Sequence, residues 1–362
     1  MNNRVHNFSA GPCTLPLEVL EEAREEFVNY QESGMSLIEM SHRGKHFDSV
    51  HSNAIQLARE VFEVPDDFSI LFLQGGATLQ FSMIPMNLLA DSKKAAYVDS
   101  GSWGSAAIAD ARIYGDVYIA WDGNECGYSR MPSLGEIHIK ANTRYLHITS
   151  NETIGGIRFV EWPDVNVPLV SDMSSDYMSR RIPWQLFDVV YGGVQKNLGP
   201  AGMAVIFVRQ SMLSKCNKSL GRYLRYDLQS ENNSMLNTPP VFPIYLLGKV
   251  LRWMKLGGGI EAMERAAEEK AALLYYAIDN SSDYFRSPVS VNCRSVMNVV
   301  FRLPTSDLEN LFLQEANAAG FVNLKGHRSV GGCRASIYNA MPRSSVELLV
   351  DFMKSFQLSN PA

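Results

Sequence analysis

At 362 residues, 46% hydrophobic and 20% charged, the chain is too apolar for disorder and long enough to bury one large core or two unequal ones. Its net charge of −5 is small and spread along the sequence, with no basic tract and no acidic tail, which argues against nucleic acid or an anionic membrane as partner and leaves a small ligand. The opening MNNRVHNFSAGPCTLP lacks the order of a secretion signal, no apolar run is long enough to span a bilayer, and five scattered cysteines without CxxC spacing suit reduced thiols, so the expected location is cytoplasmic.

From residue 16 to about residue 260, short apolar runs alternate with helical patterns. SILFLQ, AAYVDS, DVYIAW, TRYLHITS, VPLVSD, FDVVYGG and MAVIFVR read as strands, with helices such as SNAIQLAREVFEV and GSAAIADARIYG around them. This predicts an α/β fold whose large domain, residues 16–260, is a mainly parallel seven-stranded sheet covered by helices. After Gly257, Gly258 and Gly259, GIEAMERAAEEKAALLYYAIDNS predicts a long helix bridging to a smaller α/β C-terminal domain, residues 261–362. There SVMNVVFRLP and RASIYNA read as strands, DLENLFLQEANAAG as a helix stopped by Gly320, and SSVELLVDFMKSFQ as a closing helix. Residues 1–15 are expected to form an N-terminal segment packed on this smaller domain.

Ligands of open parallel sheets bind beyond the carboxyl ends of the strands, so the residues after each strand carry the functional reading. SILFLQ is followed by Gly75, Gly76, Ala77 and Thr78, small residues before a helix start that suit an anion. AAYVDS leads to Trp103, a flat face for stacking or simply for loop packing, and TRYLHITS leads to Thr153. VPLVSD ends on Asp172, and FDVVYGGVQ leads to Lys196, which on position alone could snorkel to solvent. Together these are an anion cradle, an aromatic face, a hydroxyl, a carboxylate and a lysine. Pyridoxal phosphate requires all five: covalent attachment to lysine, a carboxylate at its ring nitrogen, a stacking partner, a group near its phenolic oxygen and a phosphate site. The pairing of Asp172 with Lys196 at successive strand ends carries most of this reading. His42 and His46 have the spacing of a metal pair, but Arg43, Gly44 and Lys45 between them add positive charge and interrupt a helix, so no metal is expected. His147 in YLHIT reads as a satisfied core histidine.

The stretches FSAGPCTLP, EMSHRGKHF, LQGGATLQF, YVDSGSW, NETIGGI, SDMSSD, GGVQKNLGPAG, NTPP and LKGHRSVGGCRASIYNAM span essentially the whole chain. With them the sequence resembles the phosphoserine aminotransferase family of fold type I pyridoxal phosphate enzymes. The resemblance implies that Lys196 binds the cofactor covalently, Asp172 pairs with its ring nitrogen, Trp103 stacks on the ring and Thr153 lies near the phenolic oxygen. Gly76, Ala77, Thr78 and Gln195 would hold the phosphate; some members carry an arginine where this chain has Ala77. On the substrate side it implies Ser9, His42, Arg43, His327 and Arg328, with Arg334 gripping the α-carboxylate. The implied reaction moves an amino group from L-glutamate to 3-phosphohydroxypyruvate, giving O-phospho-L-serine and 2-oxoglutarate, with the related 4-phosphohydroxythreonine reaction of vitamin B6 biosynthesis as a possible addition. Asn237 and Thr238 read locally as a helix cap, whereas in the family they reach the cofactor phosphate of the other subunit in a homodimer with shared sites. Two alternatives of another kind stand beside this reading. One is a dinucleotide oxidoreductase, weakened because the loop Gly101, Ser102, Trp103, Gly104 is not GxGxxG; the other is a ligand-sensing module, which would not need Lys196 and Asp172 together.

Overall fold

The computed structural model describes residues 4–89 and 93–361. Two residues, His6–Asn7, form β1, followed by α1 (Leu17–Val28) and α2 (Lys45–Val61). Strands and helices then alternate: β2 (Phe68–Gln74), α3 (Gly76–Leu88), β3 (Lys94–Asp99), α4 (Ser102–Ala111), β4 (Asp116–Asp122) and β5 (Thr143–Thr149). A short hairpin of β6 (Asn151–Glu152) and β7 (Ile157–Arg158) precedes β8 (Leu169–Asp172), β9 (Val189–Gly193) and β10 (Met203–Arg209). Helices α5 (Gln210–Leu213), α6 (Tyr226–Glu231), α7 (Val241–Leu256) and α8 (Gly259–Asp279) lead to β11 (Asn298–Phe301), α9 (Ser306–Ala318), β12 (Phe321–Val322), β13 (Cys333–Ser336) and α10 (Arg343–Ser359).

The seven predicted strands form one sheet in the order β2, β10, β9, β8, β5, β3, β4. β10 runs antiparallel to both β2 and β9, and the pairs from β9 across to β4 are parallel. β2 and β9 therefore point the same way, and six of the seven carboxyl ends open on one edge. Both faces are buried, as the near-continuous apolar runs require. Along β2, Ile70 and Phe72 pack into a cluster with Leu57 of α2 and Leu247 of α7, while Leu71 and Leu73 pack into another with Phe81 of α3 and Ala107 of α4.

A third cluster surrounds the antiparallel pair β11 and β13. α8 divides its buried side chains: Ile260 and Met263 join the cluster on the large sheet, and Ala267, Ala271, Leu274 and Ile278 join the third. β1 pairs in parallel with β12, His6 opposite Phe321, and Phe8 is buried in the same third cluster. Met1 to Asn3, from the predicted segment 1–15, and Ala362 lie outside the described residues. The local reading of Asn237 and Thr238 as a helix cap does not hold, because α7 starts at Val241 after Pro240 with no side-chain cap.

Candidate active site

Lys196 sits just beyond β9 in a turn backed by the N-terminal segment. A Cβ on Gly11 would lie 3.3 Å from Lys196 Cγ, so the glycine of FSAGPC allows the two strands of chain to meet. Cys13 N–H donates to the Gln195 carbonyl at 3.1 Å, and its thiol donates to the Lys196 carbonyl. Contrary to a snorkelling lysine, Lys196 is only 8% exposed. Its Nζ donates to Thr153 Oγ1 at 2.6 Å and lies 5.4 Å from the centre of the Trp103 ring. Burial lowers the lysine's pKa, with Asp172 and Glu152 opposing the shift and Arg334 adding to it.

Thr153 occupies the turn between β6 and β7, which closes when Gly156 N–H donates to the Glu152 carbonyl at 2.8 Å. Gly156 has φ +71°, and a Cβ there would come 2.8 Å from the Asn298 carbonyl, so this turn is pressed against β11. Asp172 ends β8. Its Oδ1 accepts from the Ser174 N–H at 2.8 Å and the Ser174 hydroxyl at 2.6 Å, while Oδ2 accepts no hydrogen bond from the described residues. Burial pushes its carboxyl up; the nearby Lys196 charge and the Ser174 bonds hold it down.

The two helix starts at this edge differ. At α4, the buried Glu152 carboxylate accepts from Gly104 N–H at 2.8 Å and Trp103 N–H at 3.2 Å. That end is filled, so a dinucleotide pyrophosphate has no place at the Gly101 loop. At α3, Gly75 (φ +91°) turns the chain with no side-chain cap, and the N–H groups of Gly76, Ala77 and Thr78 have no partner among the described residues. Trp103, Asp172, Gln195 and Lys196 line one cavity of about 340 Å³ together with this open start of α3. A wider surface cleft of about 700 Å³ beside Trp162, Arg181 and Arg209 contains none of these groups.

On the other side of Thr153, Arg334 of β13 donates from Nη1 to the Thr153 carbonyl at 3.1 Å, and burial lowers its pKa. Ser9 follows Phe8, whose carbonyl accepts from Ser336 N–H at 3.3 Å, so Ser9 reaches the same strand. His327 and Arg328 lie in the loop closed by the bridge of Lys325 to Cys333, with His327 Nδ1 2.7 Å from Ser329 Oγ. His42 and Arg43 stand before α2, and Asn237 and Thr238 are exposed between α6 and α7, with the Thr238 carbonyl accepting from Gln74 Nε2 at the end of β2; like Ser9, Thr153, His327, Arg328 and Arg334, none of them lines the cavity. Because α2 begins at Lys45 after Gly44, His42 and His46 do not share a helical face.

The core reading of His147 needs one correction. Its Nε2 pairs with Tyr191 Oη at 2.9 Å, but its buried Nδ1 has no partner among the described residues, and burial lowers its pKa to about 3. Sequence reasoning assigned nothing to Ser174 and Glu152. SDMSSD and NETIGGI contain both residues, yet only tertiary contact gives them their roles.

The class-V aminotransferase family model matches residues 5–349. This chain belongs to the class-V aminotransferase family. A phosphoserine aminotransferase from Lysinibacillus sphaericus is 48% identical over 358 residues, covering 99% of each chain. Among solved structures, the phosphoserine aminotransferase from Bacillus circulans subsp. alkalophilus is 48% identical, with a TM-score of 0.97 over 99% of each chain. The PLP-bound phosphoserine aminotransferase from Trichomonas vaginalis is 38% identical, with a TM-score of 0.92 over 97% of this chain and 100% of that one.

The class-V site of this chain fits pyridoxal phosphate on its own geometry. The free N–H groups of α3 suit a phosphate, and Asp172 Oδ2 is open to a ring N–H. Gln195 Oε1 and Trp103 Nε1, on residues of the cavity lining, are buried polar atoms without a partner among the described residues.

Proposed function

We propose that the chain is a pyridoxal phosphate-dependent transaminase that passes the amino group of L-glutamate to 3-phosphohydroxypyruvate, forming O-phospho-L-serine and 2-oxoglutarate. The observation that carries this reading is Lys196 Nζ, buried and 2.6 Å from Thr153 Oγ1, beside a cavity that also holds Asp172 and the open start of α3. When bound, pyridoxal phosphate supplies a ring that accepts the electron pair left as an amino acid loses its α-proton. Lys196 attaches the cofactor in the resting enzyme, and its Nζ carries the α-proton during transfer. Burial favours the neutral amine that can do so. Asp172 would hold the ring nitrogen with Oδ2, while Ser174 keeps Oδ1 fixed. Trp103 offers its ring for stacking, Thr153 the hydroxyl near the phenolic oxygen, and Gly76, Ala77, Thr78 and Gln195 the phosphate site.

Arg334 takes the α-carboxylate with the guanidinium N–H groups that its bond to Thr153 leaves over. His42, Arg43, His327 and Arg328 receive the distal anion, a phosphate in one half-reaction and a γ-carboxylate in the other, and Ser9 binds substrate beside β13. His42, Arg43, Asn237 and Thr238 would complete the site across a two-fold homodimer, a reading that rests on the family resemblance and on two-fold symmetry being the commonest closed arrangement. The Thr238 carbonyl accepts from Gln74 Nε2 at 3.2 Å, placing this pair at the carboxyl end of β2. The chain works as a large unit, residues 16–260, and a smaller one, residues 261–362, with residues 1–15 on the second; the divided packing of α8 supports this. The five free cysteines suit the reducing cytoplasm. Among the described residues no helix is long and apolar enough to cross a membrane.

The test is turnover. Purified protein given glutamate and 3-phosphohydroxypyruvate should form O-phosphoserine, and replacing the acceptor with pyruvate should cost about a hundredfold or more in kcat/KM, because the distal cationic groups are then left unpaired. Equal rates with both acceptors would assign the site to a different transamination.

A further inference from the structure

Glu152 is fully buried, and its carboxylate gathers three donors from one stretch of chain. Oε1 accepts from Gly104 N–H at 2.8 Å and Ser100 Oγ at 3.3 Å, and Oε2 accepts from Trp103 N–H at 3.2 Å. Trp103 and Gly104 belong to the first turn of α4, whose N-cap, Gly101, has no side chain to satisfy it. The cap therefore comes from β6, a different element. Both glycines around Trp103 are shaped to it: a Cβ on Gly101 would come 2.9 Å from Glu152 Cδ, and one on Gly104 would lie 3.4 Å from Oε1 and 3.1 Å from the Val98 carbonyl. The GSWG and NET motifs are thus one physical unit. The Trp103 indole Nε1, in contrast, is buried without a partner among the described residues, and its ring meets Phe81 at 6.4 Å between centres and Lys196 Nζ at 5.4 Å, at the edge of the cluster on α3 and α4. Packing holds the ring from the side, and the backbone beneath it is held by Glu152.

We propose that Glu152 is a positioning residue that locks the first turn of α4 so that Trp103 presents its ring to bound pyridoxal phosphate. The inference rests on the stacking role given to Trp103 above. A rival action exists, because Glu152 also lies in the field of Asp172 and Lys196, and the experiment must separate the two.

The readouts are the visible circular dichroism of the holoenzyme and the rate at which it releases pyridoxal phosphate on dilution, compared for wild type, Glu152→Gln, Trp103→Ala and the double variant. Glu152→Gln retains the volume but turns an amide N–H₂ toward an N–H donor, so release should quicken about tenfold and the dichroic band should weaken. In the Trp103→Ala background the same substitution should add nothing further. An effect of Glu152→Gln that persists in full without Trp103, or no effect at all, would overturn the inference. If Trp103→Ala alone leaves release and dichroism unchanged, it is the stacking role that fails. Should Glu152→Gln not fold, Gly104→Ala moves the turn while leaving the carboxylate intact: its methyl meets the Val98 carbonyl at 3.1 Å, and displacement of the first turn of α4 should quicken release and weaken the band as well. Wild-type behaviour of Gly104→Ala would count against the inference.

Discussion

Ser174→Ala removes one oxygen and two interactions. The hydroxyl donates to Asp172 Oδ1 at 2.6 Å and accepts from the buried Gly193 N–H at 2.9 Å. A hydrogen bond to a charged acceptor contributes about 1.5–3 kcal/mol, and stranding a buried N–H costs about 1–3 kcal/mol. The second loss lowers Tm and leaves the chemistry alone. The first acts on Asp172, whose carboxyl is already pushed up by burial and is held down by Lys196 and by the Ser174 bonds. Losing the hydroxyl raises it further, so the carboxylate is protonated at a higher pH and activity fails earlier on acidification. The expected result is a roughly tenfold or greater loss of kcat/KM at mildly acidic pH, an acidic limb displaced toward neutral pH, and partial recovery on the alkaline side. Steady-state kinetics across the pH range, with bound cofactor measured at each point, reads this directly. A pH profile that superimposes on the wild type after scaling, with only Tm reduced, would refute the reasoning and leave Ser174 a purely structural residue.

Three further outcomes follow from the same geometry. Arg334→Ala should impair every amino donor, whereas Arg43→Ala should impair glutamate and phosphoserine far more than alanine; an equal loss with alanine would remove Arg43 from the distal end. Mixing a Lys196→Ala chain with a chain substituted at Asn237 and Thr238 should raise activity above the sum of the two parents once subunits exchange, because some dimers then hold one intact site; no rise despite exchange confirmed by native mass spectrometry would confine those residues to their own chain. Lys270 is buried and donates to the carbonyls of Tyr338 at 2.6 Å and Met341 at 3.1 Å, with its pKa lowered by burial from 10.5 to about 7. Between pH 7 and about 10 the unfolded chain holds a proton that the folded chain does not, so stability gains up to about 1.4 kcal/mol per pH unit. In Lys270→Met that part of the slope disappears, so urea unfolding at pH 7 and pH 9 should show wild type gaining stability that the variant does not gain; equal changes in both would mean that Lys270 stays charged in the fold.

Much of this architecture is legible in the sequence because both faces of the sheet are covered. The seven strands of the large sheet read as near-continuous apolar runs, and the residues following six of them fall on one edge once β10 is recognised as the strand that turns back. Lys196, Asp172 and the start of α3 could be brought together on that rule alone. The two-residue pairs β1 with β12 and β6 with β7 could not, since two residues show no period and their pairing is set by tertiary contact. The Gly11 approach to Lys196 and the Glu152 cap on α4 escaped for the same reason: each joins residues remote in sequence, and only the glycine beside it hints that something comes close. Asn237 and Thr238 show the reverse case, where a plausible local cap signal is not used locally at all.

The most direct measurement of the central claim is the absorbance spectrum of the purified protein as its substrates are added in turn. Lysine-bound pyridoxal phosphate should give a visible band at the outset. Glutamate alone should bleach that band as the cofactor takes up the amino group, and 3-phosphohydroxypyruvate should then restore it while O-phosphoserine appears in equal amount. A protein with no visible band after loading with pyridoxal phosphate, or a band that glutamate leaves unchanged, would contradict the account.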